Sequence, residues 1–175
     1  MATTYEAIAT TTVGAGGAAN IDFTSIPATF TDLLLKLSAR STQSAFYNYA
    51  FLRINNDSTL NYSFRILLAD YTSVSSITTT GIAQINGALL SGDTATASTF
   101  SNNEIYIPNY AGSNYKSVSI DAVAENNSAS VSSSGLYFTA GLWPFTTAID
   151  RLTLIPASND FKQYSTATLY GIKNS

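Results

Sequence analysis

The chain has 175 residues with no cysteine and no histidine, and only 11% of it is charged, against about 25% in an ordinary globular chain. Net charge is −3, and the few Arg and Lys are scattered singly, so the basic footprint of a nucleic-acid binder is missing. Disulfides are excluded, and zinc, copper and thiolate centres effectively so.

Runs such as Leu33-Leu34-Leu35 and Ile66-Leu67-Leu68 are far shorter than the roughly 20 apolar residues needed to cross a bilayer. The start, Met1 to Glu6, lacks the basic and apolar regions of a secretion signal. Together these predict one soluble domain over residues 1–175. Its surface is largely uncharged, supplied by Ser and Thr, about a quarter of the chain.

In chain order, the first predicted strand is Tyr5 to Val13, followed by the stretch TVGAGGAANIDF. Gly14, Gly16 and Ala19 match the letters of a dinucleotide fingerprint, but that site needs its glycines to open a helix. Here Ile21 and Phe23 alternate at period two and Pro27 follows, so the stretch predicts a glycine turn into a second strand, Asn20 to Phe23. Asp32 to Arg40 alternates strictly: Leu33, Leu35, Leu37 and Ala39 point one way, Lys36, Ser38 and Arg40 the other, as in a half-buried strand. Ser44 to Tyr49 reads as a loop and Ala50 to Asn55 as a strand. Asn55-Asn56-Asp57-Ser58 reads as a turn; its oxygens would suit calcium, but the spacing and closing Glu of a calcium loop are missing.

Asn61 to Ala69 repeats the half-buried pattern, with Tyr62, Phe64, Ile66 and Leu68 on one face. The run YTSVSSITTT, Tyr71 to Thr80, fits either a polar loop or a solvent-facing strand; Gly81 to Leu89 predicts a strand and Ser91 to Thr99 a polar loop. Glu104 to Ile107 and Lys116 to Ala124 are strands, the latter with Val118, Ile120 and Ala122 aligned. In Gly135 to Leu142, Leu136, Phe138, Ala140 and Leu142 share a face. Arg151 to Ile155 and Thr166 to Ile172 complete the set. About ten short strands with turn signals between them predict an all-β, single-domain antiparallel sandwich, jelly-roll-like in winding.

Without His or Cys, catalysis would fall to carboxylate pairs or a Ser with a Lys base. The Asp residues instead occupy turns (Asp57, Asp93, Asp160) or flank strands (Asp32, Asp70, Asp150), where Asp bonds backbone amides. The reading is therefore non-enzymatic, with no cofactor and no metal. Four tyrosines stand out as interface or glycan contacts: Tyr47 and Tyr49 beside Asn48, and Tyr110 and Tyr115 bracketing a turn, because such a ring offers apolar area while its hydroxyl stays wet. Trp143, before Pro144 and Phe145, reads as a plug at one end of the core. A surface this poor in charge, with few Lys or Pro to blunt strand edges, also points to a stable assembly.

Four segments resemble small virion structural proteins of tailed bacteriophages of aquatic bacteria and cyanobacteria. They are TTYEAIATTTVGAGGAANIDFTSIPATFTDLLLKLSAR, LRINNDSTLNYSFRILLADY, NEIYIPNYAGSNYKSVSIDAVAENN and GLWPFTTAIDRLTLIPASNDFKQYSTATLYGIKNS. The resemblance implies a capsid decoration (cement) protein, made in the host cytoplasm and placed on the particle surface, where it contacts the major capsid protein or other virion proteins. It further implies a homo-oligomer, a trimer for preference, with no nucleic acid and no membrane as partner. The alternative it implies is a tail-fibre or baseplate module that binds a host-surface glycan or receptor. A fibre ordinarily carries a repetitive attachment region, whereas here the first predicted strand begins by Tyr5, which favours the capsid.

Overall fold

Period-two alternation is realised as strand in twelve segments, and no helix occurs among the described residues of the computed structural model, which are 4–70, 73–127 and 135–173. The strands are β1 (Tyr5–Thr12), β2 (Ile21–Phe23), β3 (Asp32–Ala39), β4 (Tyr47–Ile54), β5 (Tyr62–Ala69) and β6 (Val74–Ile82). They continue with β7 (Ile85–Ser91), β8 (Ser101–Ile107), β9 (Lys116–Ala124), β10 (Gly135–Trp143), β11 (Leu152–Pro156) and β12 (Thr166–Ile172). Eight form one sheet in the order β1, β12, β3, β8, β9, β10, β5, β6; four form a second in the order β2, β11, β4, β7. Every pairing between these strands is antiparallel. The chain crosses repeatedly from one sheet to the other, giving the wound β-sandwich expected from the sequence.

The small sheet lies over one face of the large one, with β7 packed against β8, β9, β10 and β5. Between them Leu33, Leu35, Leu37, Leu52, Ile54, Ile85, Ile120, Leu154 and Leu169 are almost wholly removed from solvent. β9 buries alternate residues along its whole length, as its sequence requires. Where β7 crosses β10 a side chain of each strand presses against a glycine of the other. A Cβ on Gly87, whose φ is +148°, would stand 2.2 Å from Thr139 Oγ1, and one on Gly141 would stand 2.7 Å from Ile85 Cδ1.

This close approach limits side-chain size in the middle of the inward face of β10. Its inward positions are Tyr137, Thr139, Gly141 and Trp143, while the apolar set Leu136, Phe138, Ala140 and Leu142 points outward. A side chain at Gly141 would collide with Ile85 of β7, so the middle of the inward phase stays small between the buried rings of Tyr137 and Trp143, while Leu136, Phe138 and Leu142 face outward.

The glycine stretch forms a turn. Gly17 N–H donates to Gly14 O at 3.1 Å, Gly17 takes φ +74°, and Ala18 then pairs with Phe161 before β2 begins. The Asn55-Asn56 segment is also a turn: both residues have positive φ and Asp57 N–H donates to Ile54 O at 2.9 Å, the arrangement of a type I′ turn.

Three sequence expectations are corrected. Tyr47, Asn48 and Tyr49 belong to β4 and not to a loop, because their backbone pairs in register with Ser91, Leu90 and Leu89. The strand read at Gly81 to Leu89 divides between the end of β6 and β7; of the two readings open for Tyr71 to Thr80, the solvent-facing strand is the one formed, from Val74 at the edge of the sheet. Arg40, on the outward phase of its strand, is buried: the 93–99 segment folds over it and accepts its hydrogen bonds through backbone carbonyls.

Candidate functional site: an apolar sheet face beside an open edge

The register of the large sheet assembles the outward side chains of four strands into rows. Val123, Leu136, Ala69 and Val74 lie opposite one another across β9, β10, β5 and β6, and Asp121, Phe138, Leu67 and Ser76 form the next row. Directly opposed side chains in an antiparallel sheet have Cβ atoms about 5 Å apart, so these residues form one surface. Val74 is 71% exposed, Phe138 56%, Leu67 55% and Leu136 51%. Isolated exposed apolar residues are ordinary, but a contiguous cluster of several large ones is the kind of patch that marks a contact surface. Shallow depressions of about 270 Å³, lined by Ala69, Asp70, Val123 and Leu136 among others, and about 210 Å³, near Arg65, Thr78 and Leu142, indent it.

The patch runs to the edge of the sheet. Among the described residues β6 pairs only with β5 and its other side has no strand partner, and its sequence VSSITTTGI holds no charge and no proline. Natural sheets usually protect a nine-residue edge of this kind with Lys, Pro or a covering element. The charges near the patch lie around the apolar rows: Asp70 and Glu125 line the larger depression, Asp121 adjoins Phe138, and Arg65 donates to Thr78 Oγ1 at 3.2 Å.

Of the four tyrosines singled out in the sequence, Tyr47 and Tyr49 pack together, Tyr110 is buried and Tyr115 is exposed. Tyr110 is wholly buried; its hydroxyl donates to Pro27 O and accepts from Phe30 N–H at 3.4 Å, and burial raises its pKa. It ties the 27–30 segment to the turn after β8 and offers nothing to a ligand. Tyr115 is 57% exposed and stands apart from the others.

Tyr47 and Tyr49 are partly buried and pack edge-to-face at 5.6 Å. Tyr49 also packs against Tyr137 of β10, with hydroxyls 3.2 Å apart. Hydrogen bonding with Tyr49, together with burial, pushes Tyr47 up to about 12, and burial raises both Tyr49 and Tyr137. This cluster closes one end of the sandwich. Trp143 is the plug the sequence suggested at the other: it is buried, its Nε1–H donates to Asp57 Oδ2 at 2.8 Å, and its ring lies 5.1 Å from Phe145.

No family model and no curated protein matches this chain. Among solved structures it is similar to a galectin of Caenorhabditis elegans, at 9% identity over 94% of this chain and 96% of that one, with a TM-score of 0.36. It is also similar to a carbohydrate-binding module of Bacillus subtilis, at 8% identity over 93% and 96% of the two chains, with a TM-score of 0.24. At scores this low neither likeness bears on what the chain does.

The apolar face was missed in the sequence because Leu136 and Phe138 look like core residues, and alternation alone does not say which side of a strand is covered. The available signal was the opposite phase, where Gly141 beside Thr139 marks a crowded point between two inward rings, Tyr137 and Trp143.

Proposed function

We propose that this protein is a non-enzymatic structural component of a bacteriophage virion, a capsid decoration protein that works through surface contact. The observation that carries this reading is the exposed apolar face formed by Leu67, Val74, Val123, Leu136 and Phe138, continuous with an uncharged open edge. Such a surface suits an interface that is buried once and kept, since stable interfaces bury over about 1,000 Å² and gain from apolar area at their centre. The major capsid protein or another virion protein is the partner of that face, and copies of this chain, as a homo-oligomer, supply further contacts at the strand edges.

Quantitative mass spectrometry of purified particles tests the reading. Hundreds of copies per particle, with loss of the protein lowering the temperature the particle withstands, support it. A few dozen copies or fewer, confined to the tail, would replace it with a fibre or baseplate role.

A further inference from the structure

Away from the apolar face, the 92–100 segment after β7 and the 161–165 turn before β12 enclose a pocket of about 370 Å³, within the range of small-molecule sites. Its two walls are fixed by one residue. Arg40 Nη1 donates to Thr96 O and Thr99 O, at 2.9 and 3.0 Å, and Nη2 donates to Ala95 O and Asp93 O, at 2.8 and 3.1 Å. Its backbone accepts from Lys162 N–H at 2.7 Å and exchanges hydrogen bonds with Ser165 Oγ at 3.0 Å. The pocket is thus formed before any ligand arrives, and the guanidinium is consumed in forming it.

What the pocket presents is an aromatic ring with mixed polar groups around it. Tyr164 is 69% exposed although its backbone has φ +72°. It is the third residue of a turn closed by Ser165 N–H donating to Lys162 O at 3.1 Å, a position that ordinarily takes Gly or Asn. A tyrosine held there, against backbone preference and out in solvent, marks a site where the side chain is used. Phe100 lines the same pocket, as do Gln163 and the exposed ion pair of Lys162 with Asp93. The hydrogen bond from Lys162 lowers the pKa of the Asp93 carboxyl, which is an ionised acceptor at neutral pH as an ordinary carboxylate would be.

We propose that this pocket binds a neutral pyranose of a glycan, with the ring C–H face against Tyr164 and Phe100 and its hydroxyls shared among Asp93, Lys162 and Gln163. A sugar ring has one face of C–H groups and an equatorial rim of hydroxyls that both donate and accept. An aromatic body with a wet tip meets the first, and a carboxylate, an ammonium and an amide meet the second. An acidic sugar is the poorer fit, because the guanidinium that would face its carboxylate is already bound to four carbonyl groups. The site is independent of the apolar face and of the copy number on which the decoration role rests.

Saturation-transfer NMR tests the proposal, using the methyl pyranosides of glucose, galactose, mannose and N-acetylglucosamine, each at about 10 mM to suit the weak affinity of a single ring, with methyl glucuronide as the acidic comparison. The expected result is transfer to at least one neutral glycoside, weakened at least tenfold in Tyr164→Asn and in Asp93→Ala. Asn accepts the same backbone conformation, so Tyr164→Asn should remain folded, with a thermal midpoint close to that of the parent. Absence of transfer from every neutral glycoside, transfer that survives in folded Tyr164→Asn, or binding of the glucuronide alone would each overturn it.

Discussion

The two faces of β10 are built from the same nine residues and behave as opposites. Inward, Thr139 and Gly141 meet Gly87 and Ile85 where β7 crosses β10; outward, Leu136 and Phe138 stand more than half exposed. In the middle of the strand side-chain size follows available space: Gly141 faces the Ile85 side chain and Thr139 faces Gly87, while the larger inward rings, Tyr137 and Trp143, lie on either side of this crossing. The open face carries large residues that stay exposed to solvent. One face therefore concerns folding, the other association.

The largest expected effect comes from filling the tight face. Gly87→Ala places a methyl where φ is +148° and Thr139 is already in the way, and overpacking with backbone strain should destabilise the fold by about 3 kcal/mol or more. Urea denaturation reads this as a lower midpoint at similar slope; an unchanged midpoint would mean that the sheets can separate there at little cost.

A smaller change of opposite sign is expected at the neighbouring position. Thr139 Oγ1 is buried without a hydrogen-bond partner among the described residues. Thr139→Val keeps the shape and removes the orphaned hydroxyl, which should raise stability by about 1 kcal/mol. A loss of stability would show that the hydroxyl is satisfied in solution.

On the outer face the prediction separates folding from function. The double variant Leu136→Ser, Phe138→Ser should leave stability within about 1 kcal/mol of the parent, in keeping with exposed positions. Its incorporation into particles, measured by quantitative mass spectrometry, should fall severalfold. A double variant that unfolds would place the patch in the core of the fold, and one that assembles normally would remove the patch from the interface.

The smallest effect is acid dependence at the Trp143 end. Burial opposes ionisation of Asp57, yet hydrogen bonds from Thr59 and Trp143 outweigh it and hold its pKa below the ordinary 3.8. The folded state therefore binds its proton less readily than the unfolded chain does. The resulting stability is complete above pH 3.8 and is lost as pH falls through the lowered value. Asp57→Asn should flatten the acid limb of a plot of thermal midpoint against pH; an unaltered limb would assign it to other carboxylates.

Much of the fold was legible because strands of this protein alternate cleanly. Leu33, Leu35 and Leu37, and Val118, Ile120 and Ala122, are buried as their spacing requires, and TVGAGGAANIDF turns into a strand because Ile21 and Phe23 follow its glycines. The candidate sites were less legible. Tyr110 sits among Asn, Ala and Gly like a surface ring, but its hydroxyl reaches Pro27 and Phe30, distant in sequence. Tyr47 and Tyr49 were read as loop because Asn48 lies between them, whereas pairing with β7 makes them strand. Tyr164 drew no notice at all, since its strained backbone is a property of the closed turn.

The sequence by itself determined the all-β class, the positions of most strands and turns, and the lack of charge that leaves strand edges unguarded. These follow from local rules, namely side-chain alternation and the conformations that glycine and asparagine tolerate. Which face of β10 is covered, the burial of Arg40 under backbone carbonyls and the pocket it holds open were decided only by tertiary structure. Each depends on what a distant segment brings to within a few ångströms, and spacing along one strand carries no record of that distance.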